Sequence, residues 1–336
     1  MPRSKIKLRI LLVVAAMAVI TGLARHRVDA AESKRAFRLD ALTPEFAKLI
    51  APKEKLVTIA TGFGFTEGPV WDPGNFLWIS DETINKIYQV QMDGSKKSVL
   101  DLGDPDGNTL ERNGNLIDCA SVLRAIISIP RGGGPYSVLV DRYQGQRFNS
   151  PNDIVVGPDG AFYFTDPTLD LPPGQAQEIP FQGAYRFGPG LDLTLLTREL
   201  TQPNGLAFSP DGKRFYVDDS EQRNIRMYDF HKDGTISNGR IFGEEPGGKD
   251  DGVPDGMKVD QHGNIFVTGP RGIWVWDQTG HHLGTIVMPE QPANLNWGDP
   301  DYGTLYITAT TSVYRLRTKT HGFVPYLPFA EMDVRK

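Results

Sequence analysis

Short apolar stretches alternate with turn sequences along most of the chain, and these stretches are rich in β-branched and aromatic residues. Phe76–Asp81 and Phe162–Asp166 are two examples, and each has the length of one strand. Glycine and proline supply 36 and 25 of the 336 residues, so turns are available between such strands. The pattern predicts an all-β protein.

One sequence unit recurs six times. Each copy begins with a polar residue beside Pro or Gly, continues through a short apolar stretch to a turn glycine, and then enters a β-prone strand. The turn glycine follows the polar residue by 7 to 9 residues, and successive copies are 39 to 52 residues apart. We call the six polar residues the polar anchors; they are Glu67, Asp106, Asn152, Asn204, Asp255 and Asn294.

Four strands in roughly 40 to 50 residues is the length of one propeller blade. The repeat therefore predicts an all-β fold, a six-bladed β-propeller with four-stranded blades, over residues 53–336. We expect residues 56–59 to close the ring against the sixth blade. A long β-sandwich is the alternative, but it does not explain why the same polar position recurs in every unit.

The N-terminal 30 residues have the layout of a signal peptide. Four basic residues precede an apolar run at residues 10–24, and small residues follow at 28–31. The run is shorter than the roughly 20 residues that span a bilayer. We expect a periplasmic or secreted protein, with an uncleaved anchor or a buried helix as alternatives. Residues 31–52 form an N-terminal extension that we expect to be peripheral and helical.

Charge and cysteine content exclude several classes of function. The formal net charge is −5, and residues 1–30 hold six basic residues against one acidic residue, so the rest of the chain is more acidic still. An acidic body argues against nucleic-acid partners and, beyond the signal segment, against a membrane partner. The single cysteine, Cys119, excludes an intramolecular disulfide. A small-molecule substrate is the partner that we expect.

The polar anchors are candidates for a metal site. Equivalent positions of a propeller lie at one depth around one axis, so six carboxylate or amide side chains would meet at one mouth of the channel. Oxygen ligands suit Ca²⁺ first; Mg²⁺ and Mn²⁺ are alternatives, and Zn²⁺ is less favoured because His and Cys ligands are missing. The alternative is that the anchors only form turns, but Glu67 is a poor turn residue. Asp255 and Asp153 are both candidates for accepting a proton.

These motifs resemble the gluconolactonase/regucalcin/luciferin-regenerating-enzyme family. The resemblance covers roughly residues 55–320 and is carried by Glu67-Gly68-Pro69-Val70-Trp71, Asn149-Ser150-Pro151-Asn152-Asp153, Pro203-Asn204-Gly205 and Pro254-Asp255-Gly256. It implies a Ca²⁺-dependent lactone hydrolase of the gluconolactonase type. Its implied metal ligands are Glu67, Asn152, Asn204 and Asp255.

The resemblance also implies roles in catalysis and substrate binding. Asp255 would be the catalytic residue that handles protons, and Asn149, Asn152 and Asp106 would contact the substrate. The second blade departs from the family pattern, because Ser121 stands where related chains have a histidine. The alternatives are a binding propeller with a structural Ca²⁺, and a metal-dependent phosphotriesterase or isomerase that uses the same site.

Overall fold

Each of the six sequence repeats folds into one antiparallel sheet in the computed structural model, which describes residues 35–188, 190, 192–248 and 250–325. The signal peptide expected at residues 1–30 lies outside the described residues. The strands, numbered β1 to β27 in chain order, are Arg38–Ala41, Val57–Thr61, Thr66–Asp72, Phe76–Asp81, Lys86–Gln91, Lys96–Asp101, Pro105–Leu110, Leu116–Ala120, Ala125–Ile129, Ser137–Val140, Arg142–Tyr143, Gln146–Arg147, Ile154–Val156, Phe162–Asp166, Gly183–Phe187, Leu193–Thr197, Pro203–Phe208, Arg214–Asp219, Asn224–Phe230, Ile236–Glu244, Met257–Val259, Ile265–Gly269, Gly272–Trp276, His282–Val287, Pro292–Gly298, Thr304–Ala309 and Ser312–Arg317. One short helix, α1, spans Phe46–Leu49.

The six sheets are arranged as blades around one axis. Blades 1 to 4 consist of β3–β6, β7–β10, β13–β16 and β17–β20; blade 5 contains β21–β24, and blade 6 contains β25–β27. The first strands of consecutive blades contact one another in the order β3, β7, β13, β17, β21 and β25, and β25 contacts β3 again. The first strands therefore surround a central channel, which confirms the six-bladed propeller.

An N-terminal strand closes the ring. β2 is the fourth strand of blade 6 and pairs antiparallel with β27, with Val57 opposite Arg315 and Ala60 opposite Val313. The closure expected from residues 56–59 is confirmed. Trp71 of blade 1 stacks on Tyr306 of blade 6 at 5.4 Å between ring centroids, so the junction between the first and last blades is also packed by aromatic side chains.

The segment before β2 is strand as well as helix. β1 pairs with β24 and adds a fifth strand to blade 5, while α1 has only four residues. The expectation of a helical segment is therefore wrong for Arg38–Ala41. The physical reason is that the outer strand of a sheet leaves backbone groups unpaired, and an added strand satisfies them.

Among the described residues, no helix combines the length and apolar character that crossing a membrane would need.

The polar anchors lie at the same end of their first strands. In blades 1, 2, 4 and 6 the pairing of the first two strands shifts register at or beside the anchor, as between Glu67 and Val70 or between Pro105 and Asn108. Such bulges redirect a side chain and end regular pairing. In blades 3 and 5 the anchor lies two residues before the strand begins. Both arrangements free the anchor side chain from the sheet faces.

A charge introduced into the closing strand β2 tests how far the stability of the ring depends on this strand. Ala60 is 7% exposed and Val57 is 41% exposed on the same strand. We expect Ala60→Asp to lower the free energy of unfolding by about 3 kcal/mol, because a buried charge lacks a partner, and Val57→Asp to change it by less than about 0.5 kcal/mol. Urea denaturation followed by tryptophan fluorescence measures both, and equal effects of the two variants would contradict this role for β2.

Candidate metal centre and active site

The polar anchors meet around the mouth of the channel, and each anchor carboxylate lies beside an amide from a neighbouring blade. We call these the amide–carboxylate pairs; they are Asn152 with Asp106, Asn204 with Asp255, and Asn294 with Glu67. The side-chain amide of Asn152 donates to Asp106 at 2.7 Å, and that of Asn294 donates to Glu67 at 2.8 Å. The three pairs join blades 2 and 3, 4 and 5, and 6 and 1.

Two further acidic residues reach the same mouth, and sequence reasoning missed both. Carboxylate oxygens of Glu67, Glu82 and Asp106 lie within 4.8 Å of one another. Glu82 directly follows β4, so an acidic residue at the mouth end of a second strand was the available signal. Asp170 comes from the loop after β14, and its charge acts on Glu82 and Asp106. Its backbone N–H donates to the Ser150 hydroxyl at 3.2 Å.

Burial and mutual repulsion raise the pKa values of these carboxyl groups. Burial, followed by the charge of Asp153, raises the pKa of Glu67 to about 8. Burial and then the charge of Glu67 raise the pKa of Asp255 well above its usual range. The pKa values of Glu82 and Asp106 shift in the same direction, mainly through burial. A bound cation would relieve this repulsion and favour the ionised forms.

The residues present fit a hard divalent cation. The anchors offer only oxygen ligands, and several are carboxylates, which is the donor set of Ca²⁺, Mg²⁺ and Mn²⁺. The side-chain carbonyl oxygen of Asn204 is buried and accepts no hydrogen bond from the residues that the structure describes. An unpartnered buried acceptor next to Asp255 is costly in the protein alone and is satisfied by a cation at the mouth.

The structure separates the two candidate proton acceptors. Asp153 is almost fully buried, accepts from the backbone N–H of Ile154 at 2.8 Å, and faces the ammonium of Lys258 at 3.6 Å. The Asn204 amide donates to the Ser220 hydroxyl at 3.2 Å and also favours the ionised form of Asp255, which as a whole residue is half-buried. Asp255 is therefore the more accessible of the two residues, whereas Asp153 is occupied by Lys258.

The remaining sequence candidates have defined contacts. The Asn149 side chain is fully buried, and its amide donates to the carbonyls of Phe181 and Asp166. Asn149 thereby fixes both ends of the loop that carries Asp170. Ser121, where the resemblance implied a histidine, donates to the Pro151 carbonyl at 2.7 Å and to the Asp106 carboxylate at 3.4 Å. In blade 2 the Ser121 hydroxyl therefore lies directly beside the Asp106 anchor.

The fold and site together define a six-bladed β-propeller whose channel mouth is lined by carboxylates and amides. Residues 65–311 match the family model described as "SMP-30/Gluconolactonase/LRE-like region". The chain belongs to this family, as the anchor motifs indicated.

Individual relatives are similar over most of the chain. A gluconolactonase from Zymomonas mobilis is 32% identical over 91% of this chain and 93% of its own. A pentonolactonase from Haloferax volcanii is 27% identical over 72% of this chain and 80% of its own. Among solved structures, a gluconolactonase from Xanthomonas campestris has a TM-score of 0.78 and 29% identity, covering 85% of this chain and 96% of that one.

The raised pKa of Glu67 predicts how stability depends on pH when no divalent cation is present. A carboxylic acid whose pKa is about 8 in the folded state and ordinary when unfolded makes the folded state bind more protons between these values. The melting temperature in EDTA should therefore fall as pH rises from 5 to 8. Excess Ca²⁺ at pH 8 should recover it, and Glu67→Gln should flatten the profile. A melting temperature that rises with pH in EDTA would contradict the assignment.

Proposed function

We propose that this protein hydrolyses the lactone ring of a sugar acid with the help of one divalent cation, with Ca²⁺ as the first choice and Mg²⁺ or Mn²⁺ next. The observation that carries the proposal is the set of three amide–carboxylate pairs around the mouth, which supplies only oxygen ligands. The family and the lactonase names of the relatives support the reaction class. We assign Glu67, Asn152, Asn204 and Asp255 as the ligands.

A bound divalent cation polarises a carbonyl oxygen and stabilises the negative charge that develops on it. Asp255 accepts a proton from the attacking water, and that proton passes to the ring oxygen when its bond to the carbonyl carbon breaks. The product is the open hydroxy acid, so one water is consumed and no covalent nucleophile is needed. Asn204 favours the ionised form of Asp255, which is the form that this role needs.

The rim of the mouth suits a substrate with several hydroxyl groups. Carboxylate oxygens accept hydrogen bonds from hydroxyls, and Glu82 and Asp170 add such acceptors above the anchors. Asp106 and Asn152 are placed to contact the substrate beside the ion. Asn149 would contribute through its carbonyl oxygen, which has no hydrogen-bond partner among the described residues.

Replacing the assigned proton acceptor should abolish most turnover. We expect Asp255→Asn to reduce kcat for glucono-δ-lactone by at least about 100-fold, because the amide cannot accept the proton. The matched control Asp211→Asn, at a surface carboxylate whose side chain is 57% exposed, should leave kcat unchanged. The measurement is pH-stat titration of released acid with Ca²⁺ or EDTA present.

The same titration, applied to a panel of different lactones, also separates the alternative functions. Tight Ca²⁺ binding without turnover of any lactone would contradict the proposal and favour a binding propeller with a structural ion. Activity that survives both EDTA and Asp255→Asn would contradict the assigned mechanism.

We propose in addition that the protein is exported and that its first 30 residues are removed. The order of basic residues, apolar run and small residues in the sequence supports this. Expression of the full chain in a Gram-negative host should give a periplasmic protein whose N-terminus is Ala31, as read by mass spectrometry. A chain lacking residues 1–30 should stay in the cytoplasm. Retention of Met1 on a membrane-bound product would show an uncleaved anchor instead.

A further inference from the structure

An ion pair crosses the channel directly behind the candidate metal centre. Lys258 belongs to β21, the first strand of blade 5, and its ammonium lies 3.6 Å from Asp153, next to the anchor of blade 3. Blade 4 stands between these two blades in the ring, so the lysine reaches across the channel. Its side chain is 13% exposed and that of Asp153 is 2% exposed.

The position of Lys258 follows from strand alternation. Its neighbours Met257 and Val259 are buried in the packing between blades. Successive side chains of a strand point to opposite sides, so Lys258 faces the channel. It lies three residues after Asp255, which places its charge behind the carboxylates of the mouth rather than at the rim.

Lys258 acts electrostatically on the centre as well as on Asp153. Its charge favours the ionised forms of both Asp153 and Glu67. Asp153 in turn disfavours ionisation of Glu67 and Asp255. One Asp153 oxygen accepts the Ile154 N–H, while the other, which has no hydrogen-bond donor within the described part of the chain, faces the ammonium. The lysine thus compensates the carboxylate whose charge most disturbs Glu67.

We propose that Lys258 is a positioning residue that serves as an internal counter-cation. It holds Asp153 away from the ion-binding position and partly neutralises the carboxylates of the ion-free protein. It stabilises the ion-free state and, because like charges repel, weakens the binding of a divalent cation. The inference rests on the proposed cation site but does not depend on which reaction the site catalyses.

The test compares Lys258→Met, which keeps the length of the side chain and removes the charge, with Lys258→Arg, which keeps the charge. Ca²⁺ affinity is measured by isothermal titration calorimetry, and melting temperature is measured in EDTA and in saturating Ca²⁺. We expect Lys258→Met to bind Ca²⁺ at least tenfold more tightly and to melt lower in EDTA, with a smaller change in Ca²⁺. Lys258→Arg and the surface control Lys213→Met, whose side chain is 79% exposed, should resemble the wild type.

Other outcomes overturn the proposal. Equal losses of melting temperature with and without Ca²⁺, at unchanged affinity, would make Lys258 a structural brace only. Weaker Ca²⁺ binding would show that the lysine organises ligands instead of competing with the ion. If Lys258→Met does not fold, Lys258→Gln is measured in the same way. If the protein hydrolyses no lactone but Lys258→Met still binds Ca²⁺ more tightly than the wild type, this inference is supported and the proposed function is rejected.

Discussion

The structure of the channel mouth depends on one constraint, the placement of acidic side chains side by side in a buried ring. The molecule satisfies it by alternating acid and amide, so that each anchor carboxylate lies beside an amide from the adjacent blade; Asp106 and Glu67 accept a hydrogen bond from that amide. A hydrogen bond to an ionised group stabilises it more than one to a neutral group. The pairs therefore favour ionised carboxylates where burial opposes them, and they add to the backbone hydrogen bonds that join neighbouring blades, such as Gly107 N–H to the Asn152 carbonyl.

This arrangement leaves the centre incompletely compensated, and that has a chemical use. The amides lie beside the anchor acids, and the charges of Glu82 and Asp170 add to the repulsion at the mouth. Residual repulsion is what makes a polar site receptive to a cation. Rigid inner strands hold the ligands, whereas the loop that carries Asp170 is fixed through Asn149. The mouth thus combines polar side chains placed by the inner strands with a loop that Asn149 holds at both ends.

The sequence predicted those parts of the structure that the repeat determines. An offset of 7 to 9 residues between anchor and turn glycine places Glu67, Asn152 and their counterparts at nearly one height, so the convergence of the anchors followed from the spacing. Glu82 and Asp170 could not be found in this way, because each lies in a connection whose direction depends on tertiary packing. The position of Lys258 could have been predicted from the sequence, because this residue alternates with two apolar residues on a first strand.

The structure of the N-terminal extension, in contrast, could not be predicted from the sequence. Arg38–Ala41 is too short for a period of two to be distinguished from a helical one, and its pairing with β24 is set by the free edge of a distant blade. The identity of the substrate is similarly beyond residue spacing, because it depends on contacts from loops that the repeat does not control.

The closing strand β2 also constrains the order of events when the chain is synthesised. Its partner β27 lies more than 250 residues downstream, so β2 must wait, unpaired and open to wrong partners, until nearly the whole polypeptide has emerged. Blades 1 to 5 have all their own strands before that moment, whereas blade 6 is completed only by a very long-range association. Such associations are slow, and completion of the ring is thus expected to be the late, rate-determining step of folding.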